Sequence, residues 1–167
     1  MRAQTVDEAT VYETPVSKEN DTLTLTDLDK RSLFYDRRQL DLTKVMEYAR
    51  AEYRWDAATT ARAEKGYRDF LLVSWTWSQS QYRDTQVAAI SSLADQVWHR
   101  HLLLPIDYRD ACALIFGAGR LLNHEPELGE NREDKPGEWD LVAWAYGKAG
   151  LTTPTDLHQA CVWPKVG

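Results

Sequence analysis

Cysteine is scarce in this chain: Cys112 and Cys161 are the only two among 167 residues. That is too few for a disulfide framework, although one bridge between the pair stays open. Long apolar runs are missing as well. The stretches Phe70 to Trp77 and His101 to Ile106 fall far short of the roughly 20 residues that a membrane-spanning helix needs. The first residues, Met1-Arg2-Ala3-Gln4-Thr5-Val6-Asp7-Glu8, hold no apolar core of the kind a secretory signal requires. A soluble cytoplasmic protein is the expectation.

Basic surplus is also absent. The formal charge is −6, with charged residues at 28% of the chain and well mixed. Broad nucleic-acid or anionic-membrane surfaces need concentrated Lys and Arg, so neither is expected as a partner. The sequence contains no nucleophile-elbow G-x-S-x-G, no phosphate-binding P-loop, no H-E-x-x-H, no G-x-G-x-x-G and no C-x-x-C. Alternating apolar and polar residues never run long enough to indicate a sheet.

What is plentiful is aromatic surface, with seven Trp and eight Tyr. Such side chains serve cores and binding surfaces alike. A chain of this length forms one domain with a real core. Residues 1–22 are polar and aperiodic and read as a flexible tail, and 23–167 as a single helical domain. Leu23 and Leu25 alternate with threonines, a short strand or the approach to a helix over Leu28 to Tyr35.

Asp41 or Thr43 caps a helix running to about Trp55, with Leu42, Val45, Met46, Ala49 and Tyr53 on one face. Asp56 starts another, to about Trp77, carrying Tyr67, Phe70, Leu71, Ser74 and Trp75 at helical spacing. A helix from Val87 or Ser91 to Leu103 follows. Pro105 suits the first turn of the next, which Gly117 and Gly119 end near Phe116. The acidic stretch His124 to Pro136 reads as an exposed loop, and Glu138 to Lys148 as a further helix closed by Gly150. The tail from Leu151 holds Pro154-Thr155-Asp156, a cap for a last turn. The fold class is therefore all-α, a small irregular bundle of about five to six helices.

Chemistry-bearing residues concentrate between positions 95 and 124. On a helix, residues two apart point about 200° apart, so His99 and His101 occupy different environments. His101 lines up with Val97 and Leu104 on the apolar stripe, while His99 follows Asp95 by one turn. An aspartate in that position can fix a histidine tautomer and leave the other ring nitrogen available. Tyr108, Cys112 and Phe116 line the next helix, and His124 comes just beyond it. His99, His101, Cys112 and His124 are candidate ligands for zinc or iron, with Asp95, Trp98 and Tyr108 as candidate ligand-binding or supporting residues. The spacing matches no standard zinc finger. Equally open is a structural role, with Cys112 a small buried apolar residue and His101 a core histidine. The pairs Arg68-Asp69 and Arg109-Asp110 read as local surface ion pairs.

In these residues the chain resembles the glycine-rich domain-containing protein-like family. The shared pattern is Ala94-Asp95-Gln96-Val97-Trp98-His99-Arg100-His101, then Tyr108, Cys112 and Phe116-Gly117, then His124-Glu125-Pro126. Tyr67-Arg68-Asp69-Phe70-Leu71 upstream and Trp139, Tyr146, Gly150 and Val162-Trp163-Pro164 downstream extend it over about residues 61–167. Ile90-Ser91-Ser92 replaces the family's Pro-Ser cap, Asn123-His124 its doubled histidine, and its glycine-rich region and any counterpart of the first 60 residues are missing. The resemblance supplies a place for the site without a reaction. Three functions follow as expectations: a binding module for a small ligand or metal, a metal-dependent enzyme using the histidine and cysteine cluster, or an accessory or regulatory factor that binds a protein partner.

Overall fold

A computed structural model describes residues 31–84, 88–123 and 137–162, with backbone alone for Ala88, Ala89, Glu138 and residues 158–162. The expected tail at 1–22, the Thr22 to Leu28 segment, His124, the acidic stretch to Pro136 and the closing Trp163-Pro164 lie outside the described residues.

Residues 31–35 are helical, and five further helices follow among the described residues. They are α1 (Thr43–Tyr53), α2 (Ala57–Ser78), α3 (Ser92–Leu102), α4 (Pro105–Phe116) and α5 (Glu138–Lys148). The all-α bundle read from periodicity is the observed class. Local chemistry explains the boundaries. The Asp41 carboxylate accepts from the Thr43 amide at 2.9 Å, and Asp56 caps α2 by accepting from Thr59 at 2.7 Å. Ser91 does the same for α3 through Ala94, and Pro105 opens α4 with a φ already suited to it. Gly117 leaves α4 at φ +105°.

One feature differs from expectation. Ala88–Ser91 and Leu157–Val162 form strands β1 and β2, an antiparallel ribbon in which Ile90 faces His158 and Ser91 faces Leu157. The tail after Pro154 thus enters a strand where a last helical turn was expected, whereas of the two starts expected for α3 it is Ser91 that caps it. Ile90, fully buried, anchors the ribbon to the core.

Helix α3 is the hub, packing against α1, α2, α4 and both strands. Its approach to α2 is close at Gly66, where a Cβ would stand 3.3 Å from the Ser91 hydroxyl. A glycine inside α2 weakens helix propensity, and this crossing is its physical reason. The core joins Phe34, Leu40, Val45, Ala49, Tyr67, Phe70, Leu71, Trp77, Val97, Trp98, Ile115 and Val142.

Arg68 corrects the surface-pair reading. It is buried, and its guanidinium donates to the carbonyls of Phe34 at 2.6 Å and Leu40 at 3.1 Å while pairing with Glu64 at 2.9 Å. It therefore satisfies carbonyls at the end of the 31–35 helix and the turn after it. Asp69 instead accepts from Tyr35 and pairs with Lys65. Arg109 and Asp110 do form the exposed pair expected of them.

Candidate functional site

The last turn of α3 and the first two turns of α4 meet α2 at one buried point, occupied by His101. Its side chain is 1% exposed. The Tyr67 hydroxyl lies 2.8 Å from Nδ1, and Asp107 Oδ2 lies 3.1 Å from Nε2. The Tyr67 and Tyr108 rings stand edge-on to the imidazole, at centroid distances of 5.8 and 5.1 Å.

One protonation pattern satisfies all three groups. Neutral His101 donates from Nε2 to Asp107 and accepts at Nδ1 from the Tyr67 hydroxyl. A second ring proton would compete with the Tyr67 donor at a side chain that is only 1% exposed. Burial accordingly pushes the His101 pKa below its ordinary value, against the upward pull of Asp107. Burial also raises the Tyr67 and Tyr108 phenols and the Cys112 thiol, keeping all three neutral. Asp107 sits in the first turn of α4, where a carboxylate also suits the helix dipole.

A second hydrogen-bonded line runs beside the first. Trp98 Nε1 donates to the Tyr108 hydroxyl at 3.0 Å, and that hydroxyl donates to the Leu122 carbonyl. Tyr108 thereby ties α3 and α4 to the strand-like segment beyond Gly119. Cys112, one turn along α4, is a free buried thiol.

The structure thus brings Trp98, His101, Tyr108 and Cys112 into one buried cluster and leaves His99 out of it. His99, 45% exposed at its side chain, points to Asp95, with Nε2 3.6 Å from Oδ1. The two histidines occupy separate environments, as their spacing requires. Among the described residues no group of three or more His, Cys, Asp or Glu side chains is arranged to hold a metal ion. Two members of the cluster were missed from sequence as site residues, Tyr67 and Asp107. Tyr67 read as core, and only the apolar register of His101 hinted that its partners would come from another helix. Asp107 follows His101 by six residues across the Leu104-Pro105 corner, a spacing that no helical rule connects.

No family model, curated protein or solved structure matches the chain.

Proposed function

We propose that this protein is a small helical interaction module in which the Trp98-to-His101 motif is architectural. The observation that carries this reading is His101 itself: both ring nitrogens are engaged by side chains of the same chain, inside the core. A nitrogen committed in this way has no lone pair to offer a metal or substrate unless the core opens. Trp98 and Tyr108 serve the same end, holding two helices and Leu122 in fixed relation. Such a scaffold presents surfaces to a partner protein, and its net negative charge disfavours nucleic acid. The resemblance of residues 61–167 to the glycine-rich domain-containing protein-like family agrees with this reading and is part of the proposal, as is a cytoplasmic setting.

A second reading draws support from His99. It is exposed, lies on the helix turn above Asp95, and of the two histidines in α3 is the one that a small ligand or metal can reach. Metal-dependent catalysis would have to be built from there.

One experiment separates the two. The protein is purified without a histidine tag, and metal content and thermal unfolding are measured for the parent, His101→Ala and His99→Ala. The architectural reading expects no stoichiometric zinc or iron, a large loss of stability in His101→Ala and almost none in His99→Ala. Near-equimolar metal that disappears in His99→Ala would overturn it in favour of the second reading.

A further inference from the structure

The chain holds eight tyrosines, and the groups their hydroxyls face differ in chemistry. Among those with a described partner, Tyr53 accepts from Arg100 and Tyr108 donates to the Leu122 carbonyl, and neither partner is a base. Tyr35 donates to the Asp69 carboxylate at 2.6 Å but is 39% exposed. Tyr67 alone among them is fully buried and faces a nitrogen base, His101 Nδ1, at 2.8 Å. The far side of the ring decides the tautomer. Nε2 lies 3.1 Å from Asp107 and carries the ring proton, because a bare nitrogen there would oppose a carboxylate. The Tyr67 proton therefore points at a lone pair.

We infer that Tyr67 is a proton-coupled redox site, the residue on which a one-electron oxidation of this protein comes to rest. The oxidant is a one-electron acceptor from solution, of the class of a trivalent metal complex. The phenol gives one electron to it, the Oη–H bond breaks, and the proton forms a new N–H bond at His101 Nδ1. Tyr67 becomes a neutral phenoxyl radical, His101 an imidazolium, and the oxidant is reduced by one electron. The single positive charge gained by the cluster stands against Asp107.

The geometry favours this end point over other rings. A phenol that loses an electron becomes a strong acid, so its oxidation is easiest where a base already lies in hydrogen-bond reach. Bulk solvent cannot play that part for a buried hydroxyl. Burial also holds the Tyr67 phenol well above its ordinary pKa, so the proton does not leave ahead of the electron. An imidazolium is costly in the core, which keeps His101 neutral at rest, and the adjacent carboxylate offsets that cost. Tyr35 is the rival. Its acceptor is a weaker base than imidazole by roughly two to three powers of ten in water, and its exposed ring is open to radical coupling. The oxidant need not enter the core, because electrons tunnel through packed rings. Phe70 lies against both Tyr67 and Trp98, at centroid distances of 6.3 and 5.2 Å.

This goes beyond the architectural reading, and the two fail separately: a purely structural hydrogen bond costs stability when lost and carries no radical. Flash photolysis of the full chain with tris(bipyridine)ruthenium and a sacrificial cobaltic acceptor tests it, followed by electron paramagnetic resonance. A long-lived tyrosyl signal is expected in the parent and in Tyr35→Phe, and its loss in Tyr67→Phe, with thermal unfolding to confirm that each variant is folded. Labelling histidine with the heavy nitrogen isotope needs no substitution: the radical of the parent should couple to a histidine nitrogen, and should form more slowly in deuterated water. A parent without a long-lived tyrosyl signal, a signal that survives Tyr67→Phe or vanishes in Tyr35→Phe, or a radical with no histidine coupling overturns the proposal.

Discussion

The Nδ1 atom of His101 stands 2.8 Å from the hydroxyl of Tyr67, a residue 34 positions earlier in the chain. With Asp107 on the opposite nitrogen, the imidazole becomes a pin through α2, α3 and α4. A buried polar network of this kind stabilises only while every member is satisfied, which makes it sensitive to single-atom changes.

Tyr67→Phe removes one oxygen and leaves Nδ1 buried without its donor, at an expected cost of about 1–3 kcal/mol in urea unfolding. His101→Ala should cost more, since a cavity is added to the broken bonds. His99→Ala, at an exposed pair, should change stability by less than about 0.5 kcal/mol. If His99→Ala proved the costlier of the two histidine changes, His101 would lose its place as the organising residue.

Acid should weaken the fold through the same histidine. Because burial depresses the folded-state pKa, the unfolded chain takes up its proton first as pH falls below about 6.5. The stabilising contribution of neutral His101 is complete above that value and is lost as pH drops through the folded-state pKa. Unfolding midpoints compared at neutral and mildly acidic pH should fall for the parent. They should fall less steeply for His101→Gln, which has no proton to gain.

Tyr108→Phe deletes the hydroxyl that accepts from Trp98 and donates to Leu122. About 1–3 kcal/mol should be lost, and amide exchange around Leu122 and Asn123 should accelerate relative to α1. Unchanged exchange there would show that the segment is held by something other than Tyr108.

Gly150→Ala meets two obstacles. The glycine sits at φ +69°, and a Cβ there would run into the Arg31 guanidinium. A loss of roughly 1–2 kcal/mol is expected from the backbone alone. Adding Arg31→Ala should recover the small part due to displacing the flexible guanidinium and leave the backbone part, so the double variant should cost slightly less than the two single losses added together.

The helices were legible because their determinants are local. Asp56 lies three residues before the amide it caps, and Pro105 and Gly117 mark α4 by backbone chemistry that neighbours alone decide. The ribbon was not legible. Ala88-Ala89-Ile90-Ser91 carries no alternation, and its partner starts 66 residues after Ser91, at Leu157. The division of His99 from His101 followed from helical geometry. What His101 touches did not, since Tyr67 arrives from another helix and Asp107 from beyond a corner. Arg68 misled for the same reason: a charged residue beside an aspartate reads as surface until the carbonyls of Phe34 and Leu40 come into range.

Those two carbonyls also decide how much of the chain forms a self-sufficient unit. The proposed family resemblance begins near residue 61, which invites cutting there. Arg68 forbids it, because removing the preceding stretch would strand a guanidinium against emptied space and strip Phe34, Leu40, Val45 and Ala49 from the interior. The portable piece therefore includes Leu33 and Phe34, both buried in the core, and the residues from there to Asp56 are as integral to it as the motif around Trp98 and His101.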